Sequence, residues 1–227
     1  MVSAQSLDRF IAAHRLPDSF RTTATEYFEP LADWLRKKSA GGTPFLLGIN
    51  GAQGTGKTTL AAYLSLSLGE SGNRTVAILS IDDFYLTKAE RQQLAETVHP
   101  LLATRGVPGT HDLPMLRDCL ARLRELGQGE QHRLPRFDKA VDDRADEASW
   151  PTISGPVDLV ILEGWCVGSV AEPEENLDAP VNELETERDA DGQWRRYVNE
   201  RLRTDYAELF AELDALVFLQ APGFEAI

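Results

Sequence analysis

The chain has 227 residues, 42% of them hydrophobic, which is enough for one large α/β core and excludes wholesale disorder. Its formal net charge of −13 argues against general binding to nucleic acid or to an anionic membrane, since both need a basic face. Cys119 and Cys166 are too few for a disulfide framework, MVSAQSLDRF lacks an apolar signal core, and no run approaches the ~20 apolar residues of a membrane span, so the chain reads as cytoplasmic.

In chain order, the pattern predicts helix over Ser6 to His14 and again over Thr22 to Lys38. Gly41-Gly42-Thr43-Pro44 breaks the chain, and the apolar run Phe45 to Ile49 follows as a first buried strand. Thr58 to Leu66 reads as helix and Thr75 to Ile81 as a second strand. Helices are expected near Lys88 to Glu96 and over Leu113 to Leu126, the latter with Asp112 as its cap. Gln128 to Pro156 reads as a long loop, and a loop of that length is a candidate for function. Val157 to Leu162 is a third strand. Ala171 to Asp191 holds nine acids against one base, Arg188, and reads as a solvated loop or helix face, with partner binding as the alternative. A helix over Trp194 to Leu213 and a fourth strand over Ala215 to Leu219 complete the order. Continuous apolar strands separated by helices predict a parallel sheet covered on both faces.

Residues 51–58, GAQGTGKT, match the nucleotide-binding loop pattern G-x-x-x-x-G-K-[ST] in full. Strand before and helix after supply the right context. Gly51, Ala52, Gln53, Gly54, Thr55 and Gly56 would cradle phosphate oxygens with backbone N–H groups at a helix N-terminus, with Thr59 in the first helical turn behind them. Lys57 can reach the β- and γ-phosphates, and the Thr58 hydroxyl can ligate Mg²⁺. In an open parallel sheet, ligands bind beyond the carboxyl ends of the strands. Asp82 and Asp83 lie at that end of the second strand, and Glu163 at that end of the third. Glu163 is therefore the candidate for holding Mg²⁺, directly or through water; the alternative is a cap on the following turn. Asp158 lies five residues earlier, roughly 16 Å away at ~3.3 Å per residue, and is rejected as a metal residue. Asp82 and Asp83 should point in different directions, so that only one reaches a reacting group.

Five segments, GINGAQGTGKTTL, SIDDFYLT, RGVPGTHDL, LPRFDKAVDDRAD and ILEGWCVG, occur in one order. Together they resemble the plant-type D-glycerate 3-kinase family, within the wider group of phosphoribulokinase, uridine kinase and pantothenate kinase. The resemblance runs from about residue 20 to residue 220. It implies a three-layer P-loop fold in which strand one lies between strands three and four, with strand two beyond three. It also implies an ATP- and Mg²⁺-dependent kinase that transfers the γ-phosphate to a hydroxyl, most simply that of D-glycerate. Pantothenate, a nucleoside or a sugar phosphate is the alternative acceptor, and a non-catalytic nucleotide-binding module the alternative class.

By the same resemblance, Asp82 is the general base or hydroxyl-orienting group, with a secondary Mg²⁺ role through water, and Tyr85 belongs to its segment. Lys57 and Glu163 complete the catalytic set. A carboxylate-bearing acceptor needs cations, for which Arg105, Arg136, Lys139 and Arg144 are candidates, with His111, Asp112 and Asp138 in the same loops. His111 has the alternative of a bond within its loop. Trp165 is as readily core or cleft wall as substrate contact, and Cys166 reads as a small buried residue rather than a nucleophile. The implied organisation is one kinase domain over residues 1–227, with 1–42 as an N-terminal helical extension. The family pattern continues past the fourth strand, so a C-terminal lid and last strand are expected to be missing from a chain ending at Ile227. The implied partners are ATP and a small anionic hydroxy acid, with no nucleic acid and no membrane.

Overall fold

Residues 2–39, 41–221 and 223 are described by the computed structural model. The N-terminal segment opens with α1 (Ala4–His14), capped by the Ser3 side chain, and continues through α2 (Phe20–Thr23), a π-helical turn at Ala24–Phe28 and α3 (Glu29–Lys38). Phe10, Phe20 and Phe28 pack edge-on or stacked around Tyr63, which fastens this segment to the body of the protein.

Strand β1 (Phe45–Gly51) leads into α4 (Lys57–Gly72), which ends where Asn73 takes a left-handed conformation. Strand β2 (Val76–Ser80) closes in a 3₁₀ turn at Ile81–Phe84. A reciprocal Thr87–Glu90 capping box starts α5 (Lys88–Thr97). Asp112 accepts from the Met115 N–H at the start of α6 (Leu113–Glu125), as the sequence predicts.

The expected long loop carries short antiparallel ladders. Strand β3 (Gln131–Arg133) is followed by β4 (Phe137–Asp138), β5 (Asp143–Arg144) and β6 (Thr152–Ser154), with β3 paired to β6 and β4 to β5. Strand β7 (Leu159–Gly164) begins two residues later than the apolar run suggests, because Val157 and Asp158 lead into it. Helices α7 (Glu183–Arg188), α8 (Gln193–Arg201) and α9 (Ala207–Phe210), with a π turn at Leu202–Tyr206, precede β8 (Ala215–Leu219).

The four long strands form one parallel sheet in the order β2-β7-β1-β8, the expected topology. Every residue of β7 is buried, as a central strand covered on both faces requires. On one face, Leu47, Ile49, Leu159 and Ile161 pack against Leu60, Leu64 and Leu68 of α4. On the other, Leu46, Leu79, Val160 and Leu162 meet Leu116, Leu120 and Leu123 of α6 and Leu209 of α9. Each such buried side chain contributes ~1.5–3 kcal/mol by leaving water. The acidic segment departs from a fully solvated reading. Arg196 of α8 pairs with Glu174 and Asp178, while Asp189 is buried and bonded to Arg195. Residues 224–227, on which the expectation of a missing lid partly rests, lie outside the described residues.

Candidate active site

The C-terminal ends of β1, β2 and β7 face one cleft of about 810 Å³. Residues 52–54 and 56–59 line one side, and Ser80, Asp82, Tyr85, Gly106, Lys139, Glu163, Gly164 and Trp165 complete it. A separate apolar groove of about 530 Å³ runs between β8 and α9, but no phosphate-loop residue or strand-end carboxylate reaches it. Among the described residues, the phosphate loop and the strand-end acids meet in the first cleft.

The loop after β1 owes its shape to backbone freedom. Gly56, the residue before α4, sits at φ +92°, where an L side chain is strained. No side chain caps the start of α4, so its first N–H groups face the loop. Lys57 Nζ arches back to the Ala52 carbonyl at 2.9 Å, and Thr55 Oγ1 donates to the same oxygen at 2.8 Å. Gly51 and Thr55 shape the loop from behind and do not line the cleft.

Parallel register sets Glu163 beside Ile49 of β1 and Ser80 of β2. Thr58 Oγ1 donates to its carboxylate at 3.2 Å. Burial pushes the Glu163 carboxyl above its ordinary range, against the Lys57 charge and hydrogen bonds from Thr58 and Ser80. The adjacent Gly164 is required by packing: a Cβ there would come within 2.4 Å of Ile81 Cγ2.

Asp82 and Asp83 diverge as expected, but they do so in the 3₁₀ turn after β2, where successive side chains step about a third of a turn, rather than on the strand itself. Asp82 accepts from the Tyr85 hydroxyl at 2.9 Å and from Lys139 Nζ at 2.8 Å. Burial raises its carboxyl, but the Lys139 and Tyr85 hydrogen bonds and the Lys139 charge outweigh that and hold it below the ordinary range. Asp83 turns away from the cleft to the Phe137 N–H at 3.2 Å and Arg136 at 3.3 Å. There burial wins over the Arg136 charge and the carboxyl is raised. Asp158 lies at the opposite end of β7, bound to Arg74 at 2.7 Å and the Thr75 N–H at 2.8 Å, remote from the cleft as expected.

No protein-family model matches the chain. It is 38% identical over 193 residues to the "Uncharacterized kinase mug58" of Schizosaccharomyces pombe, covering 79% of this chain and 66% of that protein. It is 33% identical over 185 residues to the chloroplastic D-glycerate 3-kinase of Arabidopsis thaliana, covering 78% of this chain and 38% of that protein. The chain thus spans less than two thirds of either relative's length. The solved D-glycerate 3-kinase from Cryptococcus neoformans matches with a TM-score of 0.71 at 27% identity, over 87% of this chain and 74% of that one. The chain belongs to the P-loop kinase family.

The nominated acceptor residues fall into two groups. Asp82, Tyr85 and Lys139 line the cleft; Arg105, His111, Asp112, Arg136, Asp138 and Arg144 do not. Arg105 pairs with Asp142 and lies over the Phe137 ring, 5.6 Å from its centroid. Arg144 binds Asp112 at 2.7 Å, and Arg136 binds Asp83. Asp138 caps the turn to Ala140. His111 is buried, stacked on Tyr85 with centroids 4.5 Å apart, and its Nδ1 is 2.6 Å from the Tyr206 hydroxyl. Burial pushes its imidazole down to about 4, so it is neutral near pH 7. Cys119 and Cys166 are buried, and burial pushes both thiols up to about 12, which leaves them unreactive.

Sequence reasoning missed Ser80 and Gly106 as cleft residues, and it missed Arg91 altogether. Arg91 is fully buried and donates to the Leu86 carbonyl at 2.7 Å, the Ala103 carbonyl at 3.3 Å and the Asp142 carboxylate at 2.7 Å. Ser80 carried a signal, because it ends a strand beside a nominated acid. Arg91 carried none, since a polar helix face usually points to solvent.

The donor chemistry of the cleft fits Mg²⁺. Thr58, Glu163 and Asp82 offer hard oxygens, and Mg²⁺ takes one or two carboxylates with phosphates and waters rather than an all-protein cage. Among the described residues no group of three or more His, Cys, Asp or Glu forms such a cage.

Proposed function

We propose that the chain is an ATP-dependent kinase that phosphorylates the hydroxyl of a small anionic hydroxy acid, with D-glycerate, giving 3-phosphoglycerate, as its acceptor. The observation that carries this reading is the meeting, in one cleft, of the phosphate loop after β1, Asp82 from the turn after β2 and Glu163 from β7. A bare nucleotide-binding module needs the loop but not a strand-end carboxylate facing an acceptor space. The names of the Arabidopsis and Cryptococcus relatives support glycerate as the acceptor.

In the proposed reaction the acceptor hydroxyl oxygen attacks the γ-phosphorus and the bond to the β–γ bridging oxygen breaks. Asp82 orients the hydroxyl and takes its proton, and ADP leaves with the bridging oxygen. The loop N–H groups and Lys57 stabilise charge on the phosphates. The transition state is loose, so positioning outweighs base strength, and a low Asp82 pKa is no obstacle. Mg²⁺, held by Thr58 and Glu163 with Asp82 through water, would neutralise phosphate charge when bound.

One kinase domain with residues 1–42 as a helical extension remains our reading of the organisation, supported by the aromatic packing on Tyr63. A cytoplasmic location is supported by the two buried free thiols. The deciding experiment is ADP release with D-glycerate, L-glycerate, glycerol, pantothenate, uridine and ribulose 5-phosphate. D-glycerate should give the highest kcat/KM. A higher value with uridine or pantothenate would replace the acceptor, and no ADP with any of them would overturn the enzyme reading.

A further inference from the structure

Among the described residues lining the cleft, only Lys57 and Lys139 are basic. Lys57 belongs to the phosphate loop. The three arginines of the acceptor loops are already bound to Asp142, Asp83 and Asp112 behind the cleft wall. Lys139 differs from them. It lies on the turn between β4 and β5, its side chain is 59% exposed, and its ammonium sits on Asp82 Oδ2.

Both flanks of that turn are pinned. Asp83 holds the Phe137 N–H and Arg136 on one side, and Arg91 and Arg105 hold Asp142 on the other. The Lys139 side chain can therefore change partners without moving its loop. A partly exposed ion pair is weak and exchanges at little cost, and a lysine is a point charge on a flexible stem rather than a fixed fork. Tyr85 meanwhile keeps its bond to the other Asp82 oxygen, so the carboxylate stays oriented when Lys139 leaves.

We propose that Lys139 selects the acceptor and couples it to ATP use: its ammonium passes from Asp82 to the carboxylate of the incoming hydroxy acid and so frees Asp82 for the acceptor hydroxyl. This rests on the kinase reading above. The dimensions suit glycerate, whose carboxylate carbon is two bonds from the carbon bearing the 3-hydroxyl. Water carries no charge to draw Lys139 away. Asp82 then stays masked, and attack of water on the γ-phosphorus, which would give ADP and inorganic phosphate with the proton passing to Asp82, is suppressed.

The test uses the 227-residue chain as wild type, Lys139→Met and Lys139→Arg. ADP and inorganic phosphate release are followed with ATP alone, with D-glycerate and with glycerol, and D-glycerate binding is measured by calorimetry with ADP present. Lys139→Met should raise acceptor-free hydrolysis several-fold, lower the D-glycerate over glycerol preference in kcat/KM about tenfold or more, and weaken D-glycerate binding. Lys139→Arg should restore part of the preference, and the thermal midpoint should not move. If Lys139→Met keeps the preference, or its acceptor-free hydrolysis does not rise, the proposal is overturned. Failure of the wild type to release ADP with every acceptor would instead remove the kinase reading, and this inference with it.

Discussion

Asp82 and Asp83 are adjacent in sequence, yet a lysine and a tyrosine face the first while burial and a loop amide govern the second. Asp82 lines the cleft and is the residue to which the proposed function gives its chemistry, while Asp83 anchors the hairpin. Asp82→Asn keeps the side-chain shape but loses the charge and the proton acceptor. It should lower kcat about 10²–10⁴-fold while leaving ATP affinity nearly unchanged, as read by single-turnover kinetics and nucleotide titration. Collapse of ATP affinity with turnover retained would reassign Asp82 to the nucleotide. His111 has a different consequence. Its folded pKa lies below the unfolded value of about 6.5, so the unfolded chain binds the extra proton first, and stability falls as pH drops from about 6.5 toward about 4. Between pH 8 and pH 5 this one group should remove ~2 kcal/mol. Urea unfolding of His111→Gln should show a pH loss smaller by that amount. An unchanged slope would contradict a buried neutral imidazole.

At the scale of elements, the four parallel strands were legible because each is an unbroken apolar run too short for a helix, and their C-terminal ends located Lys57, Asp82 and Glu163. The segment from Gln131 to Ser154 was not legible. Strands β4 and β5 have two residues each and no hydrophobic alternation, and their geometry comes from partners far away in sequence. Asp83, Arg91 and Arg105 supply those partners, 37 to 54 positions away. For the same reason the basic loops looked like a substrate cluster, when three of their arginines spend their charge on neighbouring carboxylates. Arg91 makes a direct test. Arg91→Met leaves the Leu86 and Ala103 carbonyls without their donor and Asp142 with one cation instead of two. The expected cost is ~3 kcal/mol in urea unfolding, at the lower end for a broken buried pair because Asp142 remains one-third exposed. Amide exchange should quicken across residues 137–144 before the sheet is affected. A variant as stable as the wild type would show that Asp83 and Arg105 hold the hairpin without Arg91.

Over the whole molecule, an excess of thirteen negative charges surrounds a cleft that, on the proposed function, takes up two anions. The field of the surface and the field of the cleft have different ranges. At 0.01 M salt the Debye length is about 30 Å, and the summed surface charge would repel the proposed anionic substrates across the approach; at 0.1 M it is about 10 Å, and most of that repulsion would be screened. Lys57 and Lys139 act at hydrogen-bond distance inside the cleft, where salt screens less. Association should therefore speed up as salt is added, opposite to the usual behaviour of enzymes whose charge steers the substrate inward. Steady-state kcat/KM for D-glycerate at saturating ATP, measured from 0.01 to 0.1 M potassium chloride, should rise, with kcat nearly constant. A steady fall over that range would mean that the cationic field of the cleft extends past the rim and dominates the approach, and the acidic surface would then have no part in setting the on-rate.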